Sequence, residues 1–250
     1  MKTTLTKIAS ITTALCLLAA EVGTQTIPKV SLQVGEAADS GDISTTLQIV
    51  ILMTVLALAP SILIMVTSFI RIVVVLSFLR HAMGINQMPP NQLLIGLALI
   101  LTFFIMTPSV DQAYNQGIKP FLDNKLSKEE AFDKAAEPFK EFMLSQTREK
   151  DLSLFVNISK MERPQNAEEI PLRVLVPGFV ISELRTAFQI AFVLFVPFLV
   201  IDMVVASVLM SMGMMMLPPI IVSLPFKILL FVLVDGWYLL VKSLVESFHM

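Results

Sequence analysis

The sequence predicts an all-α integral membrane protein: two broken helical hairpins flanking a small helical insert. Three observations predict it. Hydrophobic residues make up 55% of the 250 residues and charged residues only 15%, whereas a soluble globule carries about 25% charge. Mean hydropathy is +0.78. The apolar residues fall into two long blocks, and residues 109–176 between them carry ten Lys/Arg and twelve Asp/Glu, more than half of all the charge.

These figures also exclude alternatives. A chain this apolar cannot cover a soluble surface with polar groups, and disorder, collagen and a disulfide scaffold fall with it. A net charge of −2 and a pI near 5.7 give no reason to expect nucleic acid. Cys16, His81 and His249 are the whole cysteine and histidine complement, too few and too scattered for the three or four ligands of a zinc site. The sequence has no HExxH, GxSxG, P-loop or GxGxxG pattern. Neither catalysis nor a cofactor is expected.

Taken in order, residues 1–20 read as a signal peptide. Lys2 and Lys7 form the positive region, and Ile8 to Ala20 is an apolar stretch of 13 residues, too short to span a bilayer. Residues 21–42 read as a flexible leader with Gly23, Pro28, Gly35 and Gly41. Residues 43–108 form the first hairpin. The run Ile43–Leu79 predicts one long helix kinked at Pro60, because turn chemistry first appears at Gly84. Its partner runs from Leu93 to Met106 and stops at Pro108. The polar residues Gln48, Thr54, Ser61, Thr67 and Ser68 argue that these helices pack against protein.

Residues 109–176 read as a periplasmic helical insert. Ser127-Lys128-Glu129-Glu130 is a capping box. Pro138 is expected to divide the following helix, and Leu152, Phe155 and Ile158 mark another amphipathic one. The second hairpin occupies residues 177–250. One arm starts at Phe179 after Pro177-Gly178, and the other runs from about Ile220 to Val245. Arg80 in the short loop 80–92, with no acid beside it, suits the cytoplasmic side.

Two features carry a functional hypothesis. Met210-Ser211-Met212-Gly213-Met214-Met215-Met216 places five of the fifteen methionines in seven positions at the tip of the second hairpin. Methionine is apolar, unbranched and deformable, so such a cluster suits either a compressible pore gasket or irregular packing. Gly213, Pro218 and Pro219 favour the gasket, because they put the cluster in a loop bend. The second feature is charge inside apolar runs. Asp202 and Lys227 lie at matching depths on the two arms, which predicts a buried ion pair that fixes register. Arg71, Arg80, Glu183, Arg185 and Asp235 are expected to anchor at interfaces or pair with neighbouring subunits.

The runs Thr67–Leu76, Arg80–Gly84 and Gln87–Gln92, together with Leu184–Ile190, Phe198–Asp202, Gly213–Pro219, Leu224–Lys227 and Val234–Trp237, resemble the FliP family of flagellar type III export-gate proteins. The resemblance spans residues 43 to 248. It implies a multi-subunit homo-oligomeric ring with FliQ and FliR, and with FlhA and FlhB nearby, in the inner membrane at the flagellar basal body. The ring would be the entry channel for unfolded flagellar proteins, with the hairpins splayed into a cone. The family's methionine gasket would match Met214, Met215 and Met216, with Met210 and Met212 beside them. Its functional Asp and Lys would match Asp202 and Lys227. The alternative from residues alone is a small-solute or ion transporter, which broken helices and buried charges also allow.

Overall fold

The computed structural model describes residues 40–85, 89–161, 166, 169–214 and 216–248, with side chains from Leu47 onward. The expected signal peptide, most of the leader and Met215 lie outside the described residues. About 84% of the described residues are helical, and no strand occurs among them.

Nine α-helices follow one another among the described residues: α1 Ser40–Met65, α2 Phe69–Ala82, α3 Asn91–Ala113, α4 Lys119–Leu122, α5 Lys128–Gln146, α6 Glu149–Ile158, α7 Leu172–Ser211, α8 Pro219–Leu233 and α9 Gly236–Glu246. The chain divides at Met53 into two compact units. In the first unit the described side chains belong to the first half of α1 and are almost all exposed. The second unit runs from Thr54 to the end.

Among the described residues, three stretches are long and apolar enough to cross a membrane: Leu47–Met65, Asn91–Leu122 and Leu172–Ser211. The pair α8 and α9, bent by 65°, makes a fourth only if the two pieces count as one span. The 14 residues of α2 reach only about 21 Å, short of the ~30 Å hydrocarbon layer. Instead α2 packs along α7 and α3 and supplies much of the core: Ile72, Val75, Leu76 and Leu79 are almost fully buried.

Several expected boundaries move. The long helix expected over 43–79 breaks at residues 66–68, not at Pro60, which lies inside α1. The break carries two hydroxyl residues. Thr67 Oγ1 bonds back to the Ile64 carbonyl at 3.4 Å, and Ser68 stands at the N-cap of α2. The Thr67 side chain thus offers the backbone a local alternative to the helix, whereas the Ser68 hydroxyl makes no capping bond. Pro108 does not end α3. The helix passes it and continues through a π-helical turn, Tyr114–Ile118, where Gly117 lies against α5.

Pro138 does not divide α5, because its ring is buried and the helix runs through it. Helix α7 begins at Leu172 and passes through both Pro177 and Pro197. A proline in a helix frees one carbonyl, and close neighbouring helices and hydroxyl side chains make that tolerable in apolar surroundings. The last helix is divided where none was expected: Asp235 takes φ +52° and α9 starts afresh at Gly236. The capping box at Ser127 forms with both halves present, and α6 supplies the short helix expected around Leu152.

Candidate functional site

The tip of the second hairpin is built by a Schellman turn. Helix α7 ends at Ser211, and Gly213 has φ +75°. The Gly213 N–H donates to the Met210 carbonyl at 3.1 Å, and the Met214 N–H donates to the Leu209 carbonyl at 2.9 Å. These two bonds need a left-handed residue between them, which glycine adopts without steric cost. Pro219 then opens α8 as its first residue, where its missing N–H leaves no unmade bond. The turn leaves Met210, Met212, Met214 and Met216 all exposed, Met216 at 98%.

Below this tip, Asp202 of α7 and Lys227 of α8 meet. Lys227 Nζ lies 2.6 Å from Asp202 Oδ2. The Ser223 hydroxyl donates to Asp202 Oδ1 at 2.5 Å, and Lys227 also donates to the Ala82 carbonyl at 3.1 Å. The lysine is buried, whereas the Asp202 side chain keeps 30% of its exposure. Ala82 is the last residue of α2. The ammonium thus also sits at the partially negative C-terminal end of a helix, so the pair ties three elements together. Gly84, at φ +77°, lies beside the pair: a Cβ there would be in ordinary contact with Ile220 at 3.4 Å and Lys227 Nζ at 3.9 Å, so its backbone conformation rather than space favours glycine.

A second polar station lies farther along α7. The guanidinium of Arg71 in α2 pairs with Glu183 of α7 through Nε at 2.8 Å and through Nη2. Nη2 also donates to Gln146 of α5 at 3.0 Å. The Arg71 and Glu183 side chains are 2% and 0% exposed. Sequence reasoning assigned these two charges to interfaces or neighbouring subunits, and the structure turns them toward each other within one chain. The two residues are 112 positions apart, beyond any local pattern. A usable signal existed nonetheless. Arg71, Glu183, Asp202 and Lys227 are two cations and two anions within apolar runs, and charges at such depth seek partners. Arg80 also bonds within the chain, donating to Asn91 at the start of α3. Arg185 and Asp235 are exposed. Ser223, Gln146 and Ser247 (another Arg71 partner) join these sites without having been singled out.

A third network braces the charged segment. The Ser182 hydroxyl of α7 donates to Asp151 of α6 at 2.8 Å and accepts the Arg148 N–H at 3.1 Å. Arg148 closes on Asp151 at 2.8–3.0 Å. Burial pushes the Asp151 carboxyl up, but the hydrogen bonds from Arg148 and Ser182 outweigh it and hold the group below its ordinary value. No cluster of three or more metal-ligating side chains occurs among the described residues.

The FliP family model matches residues 52–244. That stretch covers α2 to α8, most of α9, the methionine tip and both polar stations. The chain belongs to the FliP family. It is 58% identical over 217 residues to the flagellar biosynthetic protein FliP of Bacillus subtilis, covering 87% of this chain and 98% of that one. It is 59% identical over 220 residues to the protein of that name from Caulobacter vibrioides, covering 88% and 82%. The Aquifex aeolicus FliP is 50% identical over 225 residues, covering 89% and 92%. Membership of the FliP family thus rests on nearly the whole helical body.

Proposed function

We propose that this chain is the core pore-forming subunit of the flagellar type III protein export gate, conducting unfolded flagellar proteins across the inner membrane. Family membership over residues 52–244 carries the reading, and the relatives' common name ties the family to flagellar biosynthesis. The methionine tip supports the pore role. Four described methionines stand exposed on one glycine turn, and Met215 belongs to the same run. Several copies brought around an axis would line a constriction with deformable apolar side chains. Such a ring can close on itself and yield to chains of varied shape. Gly213, Pro218 and Pro219 set its bend.

The assembly we infer is a homo-oligomeric ring that recruits FliQ and FliR, with FlhA and FlhB nearby, at the flagellar basal body. The segment around α5 and α6 would face the periplasm. The large exposed apolar area on α7 and α8 supports burial against other protein or lipid: Phe192, Val193, Met203, Ile221 and Val232 are all at least 65% exposed in the single chain. The Asp202–Lys227 station would hold the two arms in register beneath the tip.

Native mass of the detergent-solubilised protein tests this, first alone and then with FliQ and FliR of the same organism. A defined ring of several copies that takes up both partners is expected. A stable monomer or dimer that ignores both would return the chain to the transporter reading.

A further inference from the structure

We propose that Ser247 and Phe248 form a C-terminal clasp that closes on the buried Arg71 and holds α9 folded back against the body of the molecule. A guanidinium has five N–H donors. In Arg71, Nε and Nη2 serve Glu183 and Gln146 through three bonds. The remaining two, on Nη1, go to Ser247: its carbonyl oxygen at 2.7 Å and its hydroxyl at 3.0 Å. All five donors are used only when the end of the chain is in place. The Phe248 ring adds a face. Its centre lies 3.8 Å from the guanidinium carbon, and it stacks on Phe142 of α5 at 6.2 Å. Phe248 is 2% exposed.

Ser247 is also the C-cap of α9. Arg71 therefore occupies the negative end of that helix, as Lys227 does for α2. The other end of α9 is pinned too. Gly236 lies under the Phe231 ring, so close that a Cβ would come within 2.3 Å of it. Between these points Leu240 and Leu244 are buried in the core.

The clasp matters because the α8–α9 pair has two geometries open to it. Bent by 65°, neither piece crosses a membrane: their 15 and 11 residues reach about 22 and 16 Å, against ~30 Å of hydrocarbon. Straightened, the same residues would make a helix of about 42 Å, ample for a span. Docking of Ser247 and Phe248 selects the bent form. This inference is independent of the export function.

The test uses the full-length protein in detergent, with Cys16, the sole cysteine, changed to serine. Three single-cysteine reporters are compared: Leu244→Cys on the buried face of α9, Leu239→Cys on its exposed face and Val75→Cys in the core of α2. Each is treated with N-ethylmaleimide, with the C-terminus intact, with Phe248→Leu, with Phe248→Ala, and with the chain ended at Glu246. The expected result is that Leu244→Cys is protected in the intact protein and partly protected with Phe248→Leu. It loses protection with Phe248→Ala and with the shortened chain. Leu239→Cys should react throughout, and Val75→Cys should stay protected throughout. Three results would overturn the clasp: Leu244→Cys protected in every background, Leu244→Cys reactive with the C-terminus intact, or Val75→Cys becoming reactive together with it.

Discussion

Asp202 and Lys227 form one ion pair but occupy unequal surroundings. The lysine is 3% exposed and the aspartate 30%. Removing the carboxylate leaves a buried ammonium with only carbonyl oxygen for company, which costs about 3–5 kcal/mol. Removing the lysine leaves a carboxylate that keeps its Ser223 bond and reaches outward. Asp202→Ala should therefore destabilise more than Lys227→Met, and the double variant should recover part of the loss. Denaturation followed at Trp237, the sole tryptophan, measures all three. Equal losses would mean that the two side chains are equally solvated in the protein. Gly213 is a simpler case. A Cβ there meets nothing within 4 Å, so only its φ of +75° opposes substitution. Gly213→Val should cost about 1–3 kcal/mol, and Gly213→Asn clearly less, because asparagine tolerates the left-handed region. The same denaturation assay ranks them. Asp151 adds a pH dependence. Its carboxyl is held below its ordinary value, so the folded state is favoured while the group is ionised. That stability is present above the unfolded pKa and is lost as pH falls through the folded one. The α5–α6–α7 junction should loosen only as pH drops below the ordinary aspartate value of 3.8, and Asp151→Asn should flatten the response of hydrogen exchange at Arg148–Leu152 to pH.

Among the elements, short-range chemistry was legible and long-range packing was not. The capping box at Ser127, the helix around Leu152 and the glycine–proline tip of the second hairpin follow from residues a few positions apart. Depth counting along two arms also brought Asp202 level with Lys227, which lie 2.6 Å apart. Proline misled at positions 108, 138 and 177, all inside helices. Its local cost is fixed, but whether it ends a helix depends on what packs around it. The break at 66–68 lacks both glycine and proline and gave no warning of that kind. The bend at Asp235 was read as a charge and not as a joint, although Asp-Gly is a familiar turn pair. That joint makes its own prediction. Gly236→Ala drives a methyl into the Phe231 ring and should cost about 1–3 kcal/mol. Adding Phe231→Leu should restore part of it, and a thermal melt of the three proteins decides the matter. No restoration would mean that the contact is not what limits position 236.

For the whole molecule, α7 is the spine. It carries Glu183 and Asp202 about 28 Å apart at 1.5 Å per residue, and each binds a cation from another helix. Its far end carries the methionines. In the proposed ring, changing Met214, Met215 and Met216 together to alanine should leave assembly intact and let small ions leak. Conductance of the reconstituted complex is the measurement, and an unchanged value would remove the gasket from the proposal. The arrangement of the two stations has a consequence for energetics. Each station pairs one cation with one anion inside a single chain, so neither presents a net charge. An isolated charge moved across a membrane feels about 2.3 kcal/mol per 100 mV, whereas a neutral pair carried as a unit feels almost none. These two stations therefore offer a membrane voltage no net charge to push on. If such a protein responds to the electrical potential, the lever lies in groups other than these four.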